Sequence, residues 1–110
     1  MTVDDAEIIL ARIRQCVADG RVSFTQHARV EMADEAISVE EITESIANAV
    51  LLENYPDHRR GACCLLSGET DRRRPIHLVC TPGVPIVIVI TVYEPIPPRW
   101  ADRFTRRRHA

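Results

Sequence analysis

The stretch PIVIVITVY, residues 85–93, decides the fold of this chain. Residues 86–92 are apolar on both alternating faces for most of their length, whereas a strand with one wet face alternates apolar and polar side chains. The stretch therefore predicts a central β-strand that is covered on both sides. Strict alternation divides it into two faces, with Val87, Val89, Thr91 and Tyr93 on one and Ile86, Ile88, Ile90 and Val92 on the other.

Three more runs rich in β-forming residues precede this stretch, at residues 50–56, 61–68 and 75–81. Turn formers separate them, namely Pro56-Asp57, Gly68 with Asp71, and Thr81-Pro82-Gly83. After Tyr93 the prolines of EPIPP, residues 94–98, cannot donate to a strand ladder. The second half of the chain therefore predicts four strands.

Upstream of residue 50 the apolar spacing is closer to helical. A first helix is expected over residues 4–18, followed by a short extended piece at 21–24. Thr25 is a candidate N-cap for a second helix that runs to about residue 34. Ser38 and Glu41 have the spacing of a capping box, which predicts a third helix that ends near residue 48.

These patterns predict an α+β fold, with two to three N-terminal helices packed on one face of a four-stranded, mainly antiparallel sheet. With 45% hydrophobic residues, 110 residues suffice for one core. We expect a single domain over residues 1–110, with a helical part at about 4–49, the sheet at about 50–93 and a proline-linked basic tail at 94–110. In the tail, Trp100 and Phe104 are expected to dock a short C-terminal segment and Arg106, Arg107 and Arg108 to be exposed.

The sequence has no basic region and apolar run typical of a signal peptide, and residues 86–92 are far shorter than the roughly 20 residues that cross a bilayer. We therefore expect a soluble, cytoplasmic protein that does not bind membranes. Its four cysteines form no CxxC pair and are expected to be reduced, buried thiols. Neither His77 with Cys80 nor Cys63 with Cys64 would face the same side of a strand, so no metal or other cofactor is expected.

The net charge of −2 conceals an asymmetry between the two halves. Residues 1–54 are acidic and residues 55–110 are basic, and all 14 basic residues are arginine. Guanidinium groups suit bidentate binding of phosphate or carboxylate. A codon bias in a GC-rich genome is the simpler explanation for the absence of lysine, so composition alone does not establish nucleic-acid binding.

Three motifs stand in a fixed order along the chain: Thr25-x-His27-Ala28, His77-x-Val79, and Thr91-x-Tyr93-Glu94-Pro95. With the surrounding sequence from residue 22 to 108, they resemble the domain-of-unknown-function family 4258. The resemblance implies a fold like that of the RelE and MqsR messenger-RNA interferases, in which helices pack against a curved antiparallel sheet. It also implies a toxin of a type II toxin-antitoxin system that cuts RNA without metal and has a YgiT-type zinc-ribbon antitoxin as its partner.

Metal-free RNA cleavage needs a base for the 2′-hydroxyl, cations for the phosphorane and an acid for the leaving 5′-oxygen. We expect His27, His77 and Tyr93 to be the catalytic residues. Glu31 follows His27 by one helical turn and is expected either to orient its ring or to favour its protonated form. The structural alternatives are a histidine that packs at a helix end, a cross-strand partner for His77, and a core-edge aromatic for Tyr93.

Residues expected to bind the RNA carry guanidinium, phenol or hydroxyl groups, and most of the arginines fall in turns beside the strands. They are Arg29, Tyr55, Arg59, Arg60, Arg73, Arg74 and Thr91. Solubilising hairpin charges are the structural alternative for the turn arginines.

Two functions follow from these patterns. The first is a toxin-like, metal-independent endoribonuclease that acts on messenger RNA. The second is a non-catalytic module of the same fold that docks a partner protein or RNA. Glu31 and Glu35 favour the second, because members of the resembled family commonly carry arginines on this helix and carboxylates there would repel phosphate.

Overall fold

The computed structural model describes residues 3–83, 85–96 and 104. Its three helices, with one short strand between the first two, come before four consecutive strands, as expected for an α+β fold. In chain order the elements are α1 (Val3–Ala18), β1 (Val22–Phe24), α2 (Gln26–Glu35), α3 (Val39–Ala47), β2 (Val50–Tyr55), β3 (Cys63–Glu69), β4 (Pro75–Cys80) and β5 (Val87–Tyr93).

Over the described ranges the strands form one open, mixed sheet in the order β1-β5-β4-β3-β2. Strands β2 to β5 pair antiparallel with their sequence neighbours, whereas β1 runs parallel to β5 from Val22↔Val87 to Phe24↔Val89. The prediction of four strands is wrong by this short strand, which lies in the extended piece between the first two helices. A three-residue strand is too short to display a period of two, so the sequence pattern did not reveal its pairing.

A β-bulge divides β5 into two halves. Val79 pairs with Thr91 while its neighbour Cys80 pairs with Val89, so one residue of β5 is left over. Val87 and Val89 are therefore buried in the same core as Val92, rather than on the face of Tyr93. The predicted strict alternation is wrong for the first half of β5.

The core lies between the three helices and one face of the sheet. Its fully buried members include Ile13 of α1, Ile42 and Ile46 of α3, Leu66 of β3 and Leu78 of β4. Burial of each such side chain stabilises the fold by roughly 1.5–3 kcal/mol relative to exposure. The sheet is thus packed against all three helices through this core.

Both predicted helix starts are present. The Thr25 hydroxyl accepts a hydrogen bond from the Ala28 amide at 3.0 Å. Ser38 and Glu41 form the complete capping box, each side chain accepting from the other's backbone amide at 3.0 Å. These caps fix the entry of α2 and α3 onto the sheet.

Among residues 3–83, 85–96 and 104, no helix combines the length and apolar character needed to cross a bilayer. Phe104 is half exposed. The predicted docking of Trp100 and exposure of Arg106, Arg107 and Arg108 fall outside the described residues.

Candidate active site

Two of the three predicted catalytic residues lie side by side. His77 on β4 is paired with Tyr93 on β5, and its Nδ1 lies 3.2 Å from the Tyr93 hydroxyl. The two rings meet edge to face with centroids 5.3 Å apart. His77 is fully buried and Tyr93 is half-buried, so the imidazole is placed to hold the phenol rather than to contact a large substrate.

His27 lies in the first turn of α2 with 68% of its side chain exposed. Its Nε2 is 3.4 Å from Oε1 of Glu31, the residue predicted to orient it. The ring therefore faces a carboxylate and solvent, which disfavours the alternative of a histidine packed into the helix end.

Glu31 links His27 to the strand that carries Tyr93. The same carboxylate oxygen accepts hydrogen bonds from the Thr91 hydroxyl at 2.9 Å and from the Val92 amide at 3.0 Å. Thr91 and Tyr93 are two residues apart beyond the bulge, so their side chains share one face about 7 Å apart. The structure thus links His27 through Glu31 to Thr91, and His77 to Tyr93, within the last three residues of β5.

Glu35 makes a matching contact one helical turn later. Its Oε1 accepts a hydrogen bond from the Glu94 amide at 3.0 Å. Carboxylates four residues apart on a helix are separated by about 6 Å, close to the roughly 6.7 Å between alternate strand amides. Glu31 and Glu35 thereby close the edge of β5 beyond its pairing with β1, a role that sequence reasoning missed because no local pattern marks it.

Arg74, predicted to bind substrate, instead makes hydrogen bonds and ion pairs within the protein. Its guanidinium donates to the carbonyls of Glu35 at 2.6 Å and Ala36 at 2.9 Å, at the C-terminal end of α2. It also lies 3.4 Å from the Glu41 carboxylate and 3.5 Å from that of Glu94. A cation at a helix C-terminus offsets the partial negative charge of the last carbonyls, which explains this location.

Two predicted RNA-binding arginines are exposed at or near this end of the sheet. Arg29 lies next to the His27 turn, with its guanidinium carbon 5.9 Å from the centre of the Phe24 ring. Arg73 lies in the turn between β3 and β4 with a φ of 67°. That turn joins the ends of β3 and β4 nearest His77.

Thr91 lies beside Tyr93 with its hydroxyl donated to Glu31, whereas three other predicted RNA-binding residues lie elsewhere. Arg59 and Arg60 are exposed in the turn between β2 and β3, at the opposite end and far edge of the sheet. Tyr55, paired with Cys63 at the same end, donates its hydroxyl to Glu53 at 2.5 Å. The structure does not bring these three residues to His77 and Tyr93.

The carboxyl of Glu41 is the titratable group through which Arg74 joins α3. A hydrogen bond from the Ser38 backbone amide, with a further one from Arg74, lowers the pKa of Glu41 below its usual range despite partial burial. The charged form of Glu41 is therefore the one that stabilises this corner of the fold.

The four cysteines are free and buried, as predicted. A hydrogen bond with Cys64, together with burial, raises the pKa of the Cys80 thiol. Burial also raises the pKa of the Cys63 thiol. Raised values keep these two thiols neutral and poorly nucleophilic. In the part of the chain that the structure describes, no three His, Cys, Asp or Glu side chains are grouped so that they could hold a metal ion.

The fold and site define a small α+β protein whose second helix closes one edge of strand β5 in a mixed sheet, beside a buried histidine paired with a half-buried tyrosine. The family model described as "Domain of unknown function (DUF4258)" matches residues 24–94, from the end of β1 to just beyond β5. The chain therefore belongs to the DUF4258 family. A search of curated proteins found no match, and neither did a search of solved structures.

Proposed function

We propose that this chain is a metal-independent endoribonuclease that acts as the toxin of a type II toxin-antitoxin system. The observation that carries the proposal is the convergence of an exposed imidazole, His27, and a half-buried phenol, Tyr93, at one end of β5. Each has a partner that holds it: Glu31 for His27, and His77 for Tyr93.

In this mechanism His27 takes the proton from the 2′-hydroxyl, and the 2′-oxygen attacks the neighbouring phosphorus. The bond from phosphorus to the 5′-oxygen breaks and a 2′,3′-cyclic phosphate forms. Tyr93 supplies the proton to the departing 5′-oxygen, while His77 holds its hydroxyl. Arg29 and Arg73 supply positive charge to the phosphates.

We also propose that the fold is like that of RelE or MqsR. Three helices against a largely antiparallel sheet agree with this likeness. The partner is a YgiT-type zinc-ribbon antitoxin, which blocks the site by covering the end of β5. The protein acts in the cytoplasm, where messenger RNA is found.

The direct test incubates purified protein with a fluorescent single-stranded RNA in the presence of EDTA. We expect cleavage to a cyclic-phosphate product, reduced about 100-fold to 10,000-fold in His27→Ala and Tyr93→Phe. Induced expression should arrest growth, and both variants should relieve the arrest. Absence of both cleavage and arrest, with folded protein, would overturn the proposal.

Burial of His77 and use of Glu31 and Glu35 at the strand edge favour a second candidate, a non-catalytic module that docks RNA or a partner protein. Under this alternative the folded protein binds RNA or its antitoxin but yields no cleavage product. His27→Ala would then leave growth and RNA integrity unchanged.

A further inference from the structure

We infer that Glu31 is the positioning residue of the proposed reaction: it holds His27 in one orientation relative to Tyr93 by fixing the imidazole to strand β5. The inference rests on the proposed endoribonuclease function. It assigns to Glu31 a part in the reaction beyond closing the strand edge.

The first step is that the Glu31 carboxylate is itself immobilised. Its Oε1 accepts the Val92 amide at 3.0 Å and the Thr91 hydroxyl at 2.9 Å, and its side chain is only 23% exposed. Both donors belong to β5, which is paired with β4 on its other side. The Glu31 oxygen is therefore held in place against β5 by these two hydrogen bonds.

The second step is that His27 needs such a point. A side chain with 68% exposure can occupy several rotamers, and contact with Glu31 favours a rotamer that faces it. We assign the ring hydrogen to Nε2, which lies 3.4 Å from the carboxylate oxygen, so that Nδ1 keeps its lone pair. Nδ1 is then the atom that takes the proton from the 2′-hydroxyl, and the negative charge of Glu31 stabilises the imidazolium that forms.

Glu35 provides a matched control within the same helix. It closes the same edge through the Glu94 amide at 3.0 Å, and no histidine lies within ion-pairing distance of it among the described residues. Removal of its carboxylate therefore tests the cost of opening the strand edge without disturbing His27.

The experiment measures RNA cleavage by the full chain in Glu31→Ala, Glu31→Gln, Glu35→Ala and His27→Ala. We expect kcat to fall about 10-fold to 100-fold in Glu31→Ala with KM changed less than threefold, and to change less than twofold in Glu35→Ala. Glu31→Gln, whose amide oxygen can still accept the two hydrogen bonds from β5, should recover part of the loss and should fold even where Glu31→Ala does not. The double variant His27→Ala/Glu31→Ala should be no slower than His27→Ala alone, because residues that act as a unit are non-additive.

A readout independent of cleavage is the set of NMR couplings that report the His27 side-chain rotamer. We expect His27 to occupy one rotamer in the wild type and in Glu35→Ala. In Glu31→Ala the couplings should show averaging over several rotamers, and in Glu31→Gln they should show partial averaging. An inactive wild-type protein with one His27 rotamer would defeat the proposed function. If the wild type cleaves RNA, two results would overturn the positioning role and leave the proposed function standing. The first is an equal fall of kcat in Glu31→Ala and Glu35→Ala, and the second is a His27 side chain averaged over several rotamers in every variant and in the wild type.

Discussion

The two arginine-bearing turns of the sheet look alike in sequence and differ in the structure. The turn after β2 carries Arg59 and Arg60 into solvent at the far edge of the sheet. The turn after β3 carries Arg74 into the corner where α2 ends and α3 begins. An arginine that reaches a helix C-terminus becomes part of the fold, whereas an equivalent arginine without such a neighbour stays available to a ligand or to water.

The largest expected difference between these two regions concerns their glycines. A Cβ at Gly68, beside the β3–β4 turn, would lie 2.0 Å from the Ser45 carbonyl oxygen, because α3 crosses β3 there. Gly68→Ala should therefore lower the free energy of unfolding by more than about 3 kcal/mol or prevent folding. Gly61→Ala, in the other turn, has open space but a φ of 114°, and should cost about 1–2 kcal/mol. Urea unfolding measures both, and equal losses would contradict the comparison.

The arginines themselves should differ next. Arg74→Ala removes donors to two helix-terminal carbonyls and the partner of two carboxylates, so we expect a loss of about 2–4 kcal/mol of stability. Arg59→Ala serves as the matched control and should change stability by less than about 0.5 kcal/mol. Near-equal unfolding midpoints for the two variants would mean that Arg74 does not join α2, α3 and β5.

RNA affinity should differ between the two ends of the sheet in the same sense. Arg29→Ala and Arg73→Ala should each weaken RNA binding about 5-fold to 10-fold and reduce the salt dependence by about one counterion. Arg60→Ala, at the far end, should leave both quantities unchanged. Fluorescence anisotropy at several salt concentrations measures them, and a stronger effect of Arg60 would relocate the RNA-binding surface.

The smallest expected effect is the pH dependence of the Arg74 corner. The pKa of Glu41 is lowered in the folded protein, chiefly by the Ser38 amide, so its charged form adds stability above the unfolded-state pKa of about 4.3. That contribution is lost as the pH falls through the lowered value. Glu41→Gln should thus cost about 1 kcal/mol at pH 7 and progressively less toward pH 3, as followed by thermal unfolding. A difference that persisted unchanged at pH 3 would exclude the charge of Glu41 as its cause.

Much of the fold could be predicted because the signals are local. The capping box of Ser38 and Glu41, the Thr25 cap and the four runs of β-forming residues act over a few positions. The β5 bulge could not be predicted, since a run of isoleucine and valine is apolar on either face and shows no break where the register shifts.

The candidate site was predictable only where it follows strand pairing. His77 and Tyr93 both fall in predicted strands, and the register puts them in contact. Burial of His77 and the attachment of Arg74 to α2 depend on the packing of distant segments, which leaves no pattern near either residue.

The closure of β5 by two glutamates also bears on self-association. VIVITVY, residues 87–93, is uncharged, free of proline and glycine, and rich in β-branched residues, which is the composition of segments that stack into cross-β fibrils. β1 covers one part of its outer edge, and the carboxylates of Glu31 and Glu35 occupy the Val92 and Glu94 amides beyond it. Helix α2 thus prevents the strand of another molecule from pairing with this edge of β5. Loss of either glutamate should favour aggregation before it favours unfolding.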